Sequence, residues 1–219
     1  VCERGVDRIF LDLEYIGKKE RQGHLDTVMS KHSLDDIKPL KEAIGFKKLM
    51  VRINPLGDHT KLEIEQAIKN GADILMLPMF RTSEDVAQVG KWIDNRVGFM
   101  PLIETGTALN QVAGVISAPS VTEVYIGLND LHLDLKLKFI FQPLINGMVE
   151  KATNIIKKNN LPFGFGGIAR IGEGLVPSEY ILGEHIRMGS TRVILSRTFH
   201  RKSKNIEELM RNTDFKKEI

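Results

Sequence analysis

The stretch YIGLNDLH, residues 125–132, runs from an apolar, strand-like start through Gly127 into Asn129 and Asp130. It delivers a carboxylate just past the end of what reads as a buried strand. PLIETG, residues 101–106, does the same earlier in the chain with Glu104. Two carboxylates at the ends of successive apolar runs raise two questions: which fold sets those runs side by side, and what the acids do there.

Outward from these runs, strand-like and helix-like segments alternate along the whole chain. Strands are expected at 6–13, 48–54, 72–80, 97–104, 122–128, 162–168 and 191–197. Between them, Ser33 reads as the N-cap of a helix carrying Leu34, Ile37, Leu40 and Ile44, with Pro39 a candidate kink. Thr60 and Glu63 read as a capping box opening a helix that stops at Gly71, and Ser83 reads as the cap of the next. Further helices are expected at 107–117, 142–159 and 177–188. Near-continuous apolar strands separated by amphipathic helices predict a parallel sheet covered on its outer face by helices.

The opening VCERGVDRIF reads as a helix end, capped by Gly5, entering a strand. One more strand is therefore expected upstream, and eight strands close a (β/α)8 TIM barrel. An open doubly wound sheet would carry a glycine-rich phosphate turn after its first strand. EYIGKKERQG, residues 14–23, is no such turn. The expectation is an α/β protein with one (β/α)8 barrel domain over residues 1–200, its first strand missing from this chain, and a charged helical tail over 201–219 with Ile206, Leu209 and Met210 as a short apolar stripe.

Bulk composition narrows the function classes. Hydrophobic residues make 42% of the 219 and charged residues 27%, ordinary for a globular chain. A net charge of +3 with no basic, aromatic-interleaved stripe argues against nucleic acid as a partner. A single cysteine, Cys2, excludes an internal disulfide framework. No long apolar run predicts a membrane helix, and a cytoplasmic setting is expected.

In a barrel the functional site lies at the C-terminal ends of the strands. Those ends supply Asp12 and Glu14, Arg52 and Asn54, Met79, Glu104 and Asp130. Glu104 and Asp130 end consecutive strands and so would sit side by side. Oxygen ligands with positions left for water suit a divalent metal such as Mg²⁺ or Mn²⁺. Arg52 beside them suits a small anion, above all one developing enolate charge. The plainer alternatives are helix N-caps for the acids and a simple ion pair for Arg52. The joint occurrence of all three favours a site.

These residues also carry a resemblance. FLDLE (10–14), VRIN (51–54), GADILMLPM (71–79), PLIETGTAL (101–109) and IGLNDL (126–131) occur in the order and spacing of the HpcH/HpaI-type aldolases and citrate lyase beta subunits, which the chain resembles over residues 6–197. The resemblance implies a metal-dependent carbon–carbon lyase acting on a 2-oxo acid such as pyruvate plus an aldehyde. The metal would lie on Glu104 and Asp130. The expected substrate-binding set is Arg52, Gly127, Leu128, Asn129 and Glu14, with backbone amides of the Gly127–Asp130 turn holding the substrate carboxylate. An acyl-thioester lyase and a barrel that binds a 2-oxo or sugar acid without turnover are the alternatives. A homo-oligomer is expected from the same resemblance.

The chain departs from the family where the proton is moved. Tyr15 stands where the aldolase branch has a catalytic His and the citrate lyase branch an Asp, and Lys69 and Asn70 stand where the acid partner of that His would fall. His24, in the polar loop KKERQGHLDT (18–27), is the leading substitute as catalytic base. Lys18, Lys19 and Arg21 of that loop are candidates for holding a phosphate or second carboxylate, and Tyr15 is expected to pack behind the site. Arg170 and Glu173, after the glycine-rich PFGFGGIARIGEG (162–174), are candidates for the mouth of the site. His132, His185 and His200 read as structural, and Met76, Met79 and Met100 as barrel packing.

Overall fold

A computed structural model describes residues 5–18, 30–200 and 203–212. All seven expected strands form: β1 Arg8–Asp12, β2 Lys48–Arg52, β3 Ile74–Leu77, β4 Gly98–Ile103, β5 Val124–Ile126, β6 Phe163–Ile168 and β7 Arg192–Leu195. They pair in parallel and in chain order, β1 through β7. An eighth strand is not among the described residues.

Period-2 alternation along these strands builds two cores. Leu49, Val51, Leu75, Leu77, Phe99, Ile103, Ile126, Phe163 and Phe165 point outward into one apolar cluster shared with the helices. Met50, Ile74, Met76, Met100, Leu102 and Tyr125 point the other way and pack with Phe10 and Ile194 inside the curl of the sheet. Helices therefore cover one face only, as in a barrel.

One carboxylate shows how far the sheet curls. Glu123, just before β5, accepts hydrogen bonds at 2.7 Å from Arg8 of β1 and from Arg192 of β7. In a flat sheet β1 and β7 would lie roughly 29 Å apart, six spacings of about 4.8 Å, beyond the reach of any shared side chain. The sheet thus bends back on itself, and the C-terminal ends of its strands converge on one mouth.

The connecting helices are α1 Ile37–Ile44, α2 Thr60–Lys69, α3 Ser83–Ile93, α4 Gly106–Asn110, α5 Val112–Ile116, α6 Leu128–Asp134, α7 Gln142–Ile145, α8 Met148–Lys158, α9 Ser178–Met188 and α10 Ile206–Asn212. Several differ from the sequence expectation for identifiable reasons. The helix expected at 107–117 breaks at Gln111 into α4 and α5. The one expected at 142–159 breaks at Gly147, whose φ of 70° is left-handed, into α7 and α8. Pro39 bends nothing: a 3₁₀ turn, Leu34–Asp36, precedes α1, so Pro39 falls in the first helical turn, where no backbone N–H is needed. The cap of α3 is Thr82 rather than Ser83, its hydroxyl accepting from the Asp85 amide at 3.2 Å. Glu63 does not close a capping box with Thr60; its carboxylate is drawn instead to Asn54. Among the described residues no helix is long and apolar enough to cross a membrane.

Candidate functional site

The strand mouth encloses a pocket of about 210 Å³. Arg52, Glu104 and Asp130 line it together with Gly127, Leu128 and Asn129. Apolar lining is added by Phe10, Ile140, Phe141 and Ile194. The structure thus brings together six of the eight residues expected to bind the metal or the substrate or to act as base. Glu14 is buried to one side of the pocket and paired with cations, and His24 lies outside the described residues.

Each side chain arrives by local rules. β4 ends at Ile103, so Glu104 follows directly at the mouth. Its Oε1 accepts the Met79 amide at 3.0 Å. Met79 holds φ at 53°, a left-handed value uncommon for a side-chain-bearing residue. That twist turns its N–H onto the carboxylate, so Met79 contributes backbone rather than barrel packing. Asp130 lies in the first turn of α6, a helix whose N-cap is Gly127. A Cβ on Gly127 would meet Glu104 Oε2 at 2.8 Å, so only glycine lets the backbone lie against that carboxylate.

Glu104 is buried, and burial together with the neighbouring Asp130 charge pushes its carboxyl up to about 8, despite the opposing pull of Arg52. Such a pair holds a proton near neutrality or exchanges it for a cation. No group of three or more His, Cys, Asp or Glu gathers among the described residues. The donor set is two carboxylates, which matches a hard divalent ion that keeps several waters.

Arg52 sits in a cage. Its Nε and Nη2 donate to Asp12 Oδ1 and Oδ2 at 2.8 and 2.6 Å, and Nη2 lies 3.4 Å from Glu14 Oε2. Its guanidinium carbon lies 5.5 Å from the centre of the Phe10 ring. Burial works against its charge, but Asp12, Glu14 and Glu104 outweigh that and hold it more firmly protonated than usual. Asp12 responds in kind: burial would raise its carboxyl, yet Arg52 and Lys18 hold it at about 2. Among the described residues nothing accepts a hydrogen bond from Arg52 Nη1, which leaves that nitrogen for a ligand.

Several positions were misjudged in the sequence. Lys18 does not reach into solvent for a phosphate; it folds back, buried, onto Asp12 Oδ2 at 2.7 Å and Glu14 Oε2 at 3.5 Å. Tyr15 does not pack behind the site, since it is 61% exposed. Period-2 spacing held the missing signal for the acids: Phe10, Asp12 and Glu14 alternate onto one face, and parallel register sets Asp12 opposite Arg52. Arg170 and Glu173 do not line the pocket.

The remaining groups fall into supporting roles. Tyr125 is buried with its hydroxyl donating to the Gly166 carbonyl at 2.6 Å and accepting from the Ile194 amide at 2.9 Å. It pins the β6–β7 register shift between Gly164 and Gly167. Gly164 leaves no room for a side chain beside Tyr125 and the Arg192 carbonyl, so close backbone approach accounts for this glycine of the 162–174 run. His185 stacks on Phe165 at 3.9 Å with Nδ1 against Ser190 Oγ, and burial lowers its ring to about 4. His132 meets the Leu128 carbonyl, and His200 is exposed.

Comparison with known proteins gives one family. The model of the HpcH/HpaI aldolase/citrate lyase family matches residues 3–140. Among solved structures, a HpcH/HpaI aldolase/citrate lyase family protein from Burkholderia cenocepacia J2315 superposes with a TM-score of 0.68 at 15% identity, over 88% of this chain and 79% of that one. The HpcH/HpaI aldolase from Desulfitobacterium hafniense DCB-2 gives 0.66 at 16%, over 89% and 78%. The citrate synthase SbnG gives 0.67 at 13%, over 89% and 78%. No match was found among curated proteins.

Proposed function

Because the chain belongs to the HpcH/HpaI aldolase/citrate lyase family, we propose that it is a divalent-metal-dependent carbon–carbon lyase that forms or cleaves the bond between a 2-oxo acid enolate, such as that of pyruvate, and an aldehyde. The observation that carries this reading is the convergence of Glu104, Asp130 and Arg52 on one small pocket. Two carboxylates, one of them held up to about 8, fit a Mg²⁺ or Mn²⁺ ion. Bound there, the ion supplies positive charge for the oxygen on which enolate charge develops.

The chain's own residues do the rest. Arg52, fixed by Asp12 and stacked near Phe10, offers Nη1 to the substrate's oxo oxygen and stabilises its growing charge without reorganising. Amides of Leu128 and Asn129, at the start of α6, receive the substrate carboxylate, while that of Gly127 is bonded to the Ile103 carbonyl at 2.9 Å. Phe10, Ile140, Phe141 and Ile194 give the pocket apolar surface that keeps water away, which strengthens those polar contacts. His24 is the proposed base that moves the proton.

A second reading has its own observation. Tyr15, at the position of the family's base, is turned to solvent and replaces nothing at the pocket. A barrel that binds a 2-oxo acid without turning it over would look like this. Two measurements separate the readings. Calorimetric titration with oxalate, a planar mimic of the pyruvate enolate, is expected to show binding only with Mg²⁺ or Mn²⁺ present, and loss of more than roughly a hundredfold in Asp130→Ala. Metal-dependent exchange of the pyruvate methyl protons with deuterium then marks the lyase; binding without exchange marks the second reading. Oxalate binding that ignores both metal and Asp130 sinks the assignment of the pair.

A further inference from the structure

Lys18 is a buried lysine that the proposed chemistry leaves unused. It is 4% exposed, and its Nζ reaches Asp12 at 2.7 Å and Glu14 at 3.5 Å. Those are the same two carboxylates that Arg52 touches, at 2.6 and 3.4 Å. A lysine seldom surrenders its hydration to this degree unless its charge is answered.

The turn that delivers it is held by a dedicated set of bonds. Asn54 Oδ1 accepts the amides of Tyr15 and Ile16, at 3.0 and 3.1 Å. Asn54 is oriented in turn by Glu63, whose Oε1 accepts from Nδ2 at 2.8 Å and whose Oε2 accepts from the Asn54 amide at 3.1 Å. This explains why Glu63 is diverted from the helix cap. The Lys18 amide closes the turn on the Tyr15 carbonyl at 3.3 Å. A chain of contacts thus runs from α2 through Asn54 and the 14–18 turn to the carboxylates that hold Arg52.

Charge gives the arrangement its purpose. With Lys18 in place, part of the negative charge of Asp12 and Glu14 is answered by a cation other than Arg52. Without it, more of that negative charge falls on Arg52, and its attraction for an anion is weakened. Resting on the lyase reading above, we infer that Lys18 is a positioning residue: it offsets the charge of Asp12 and Glu14, so that Arg52 is held in place and its charge serves an anionic substrate.

The test is calorimetry of oxalate and, separately, of Mn²⁺ alone, on the full chain and three variants. Lys18→Met is expected to weaken oxalate about tenfold, the scale of one charge at this range, with Mn²⁺ affinity within about threefold of the parent. Glu14→Gln added to Lys18→Met removes one negative charge along with the positive one and is expected to restore most of the oxalate affinity, which a mere packing role for Lys18 would not allow. Lys18→Arg is expected to stay within about threefold. If Lys18→Met does not fold, Lys18→Arg and the double variant carry the comparison. Unchanged oxalate affinity in Lys18→Met overturns the inference and leaves the lyase reading standing, as does a loss that Glu14→Gln fails to repair. A parent protein that binds no oxalate with any metal overturns the lyase reading, and the inference with it.

Discussion

At the N-terminal end of the strands, Glu123 is shared by Arg8 and Arg192, and Asp73 by Lys41 at 2.6 Å and Lys48 at 3.5 Å. At the C-terminal end, Glu104 is as buried as Glu123 and more so than Asp73, but among the described residues it takes only a backbone amide as its direct hydrogen-bond partner and faces a second carboxylate, Asp130. The lower acids stitch strands and helix together: Asp73 also accepts the Leu49 amide at 2.8 Å, and its carboxyl is held below the usual range even against burial. The upper one is held high, and under the proposed function it takes a cation. Similar side chains therefore hold the fold at one end and line a candidate site at the other, according to what charge each is given as a neighbour.

The contrast breaks most visibly if the stitching is cut. Glu123→Ala leaves two arginines without their carboxylate, and since both are partly exposed the expected cost is about 2–3 kcal/mol. Urea unfolding would read that loss, while oxalate affinity should stay within about twofold of the parent. A large loss of ligand binding with little loss of stability would mean the two ends are not separate in role.

A smaller effect sharpens the other side of the comparison. With the Glu104 carboxyl raised from 4.5 to about 8, the folded protein holds a proton that the unfolded chain has released. Stability of the metal-free protein should therefore fall as pH rises from about 4.5 to about 8 and level off above, and Glu104→Gln should flatten that slope. Asp12, held at about 2, does the reverse: its contribution is present above about 3.8 and is lost as pH falls toward 2. Thermal melts across pH test both signs, and Mn²⁺ binding at pH 7 should release a proton in the parent but not in Glu104→Gln. A melt profile insensitive to Glu104→Gln would contradict the raised carboxyl.

The smallest expected effect lies away from both ends. Thr82→Ala removes the α3 cap, and about 1 kcal/mol is expected to go with it. No change in oxalate or metal affinity should accompany it, which makes it the reference against which loss at either end is judged.

Much of the fold was legible because its signals are local. Runs such as KLMVR (48–52) and ILML (74–77) are apolar over the length of a strand, and amphipathic stretches between them mark the helices. Details were lost where another partner or element takes over: Glu63 leaves its expected cap for Asn54, and Leu128–Asp134 turns helical at a point where the apolar run suggested only a strand end. Placement of Glu104, Asp130 and Arg52 at strand ends was legible for the same local reason. Their neighbours were less so. Lys18 looked like one of several loop cations, and nothing within its own stretch says that it turns inward.

By itself, then, the sequence determined the alternation of strands and helices and the delivery of an Arg and two acids to strand ends, since both follow from spacing along the chain. Only the tertiary structure decided which acids are neutralised and which are not. Partners such as Glu123 with Arg8 and Arg192, or Asp12 with Lys18 and Arg52, meet through the curl of the sheet and the fold of a turn. The strength of a charge depends on distance and burial, and both are properties of the folded chain rather than of its order.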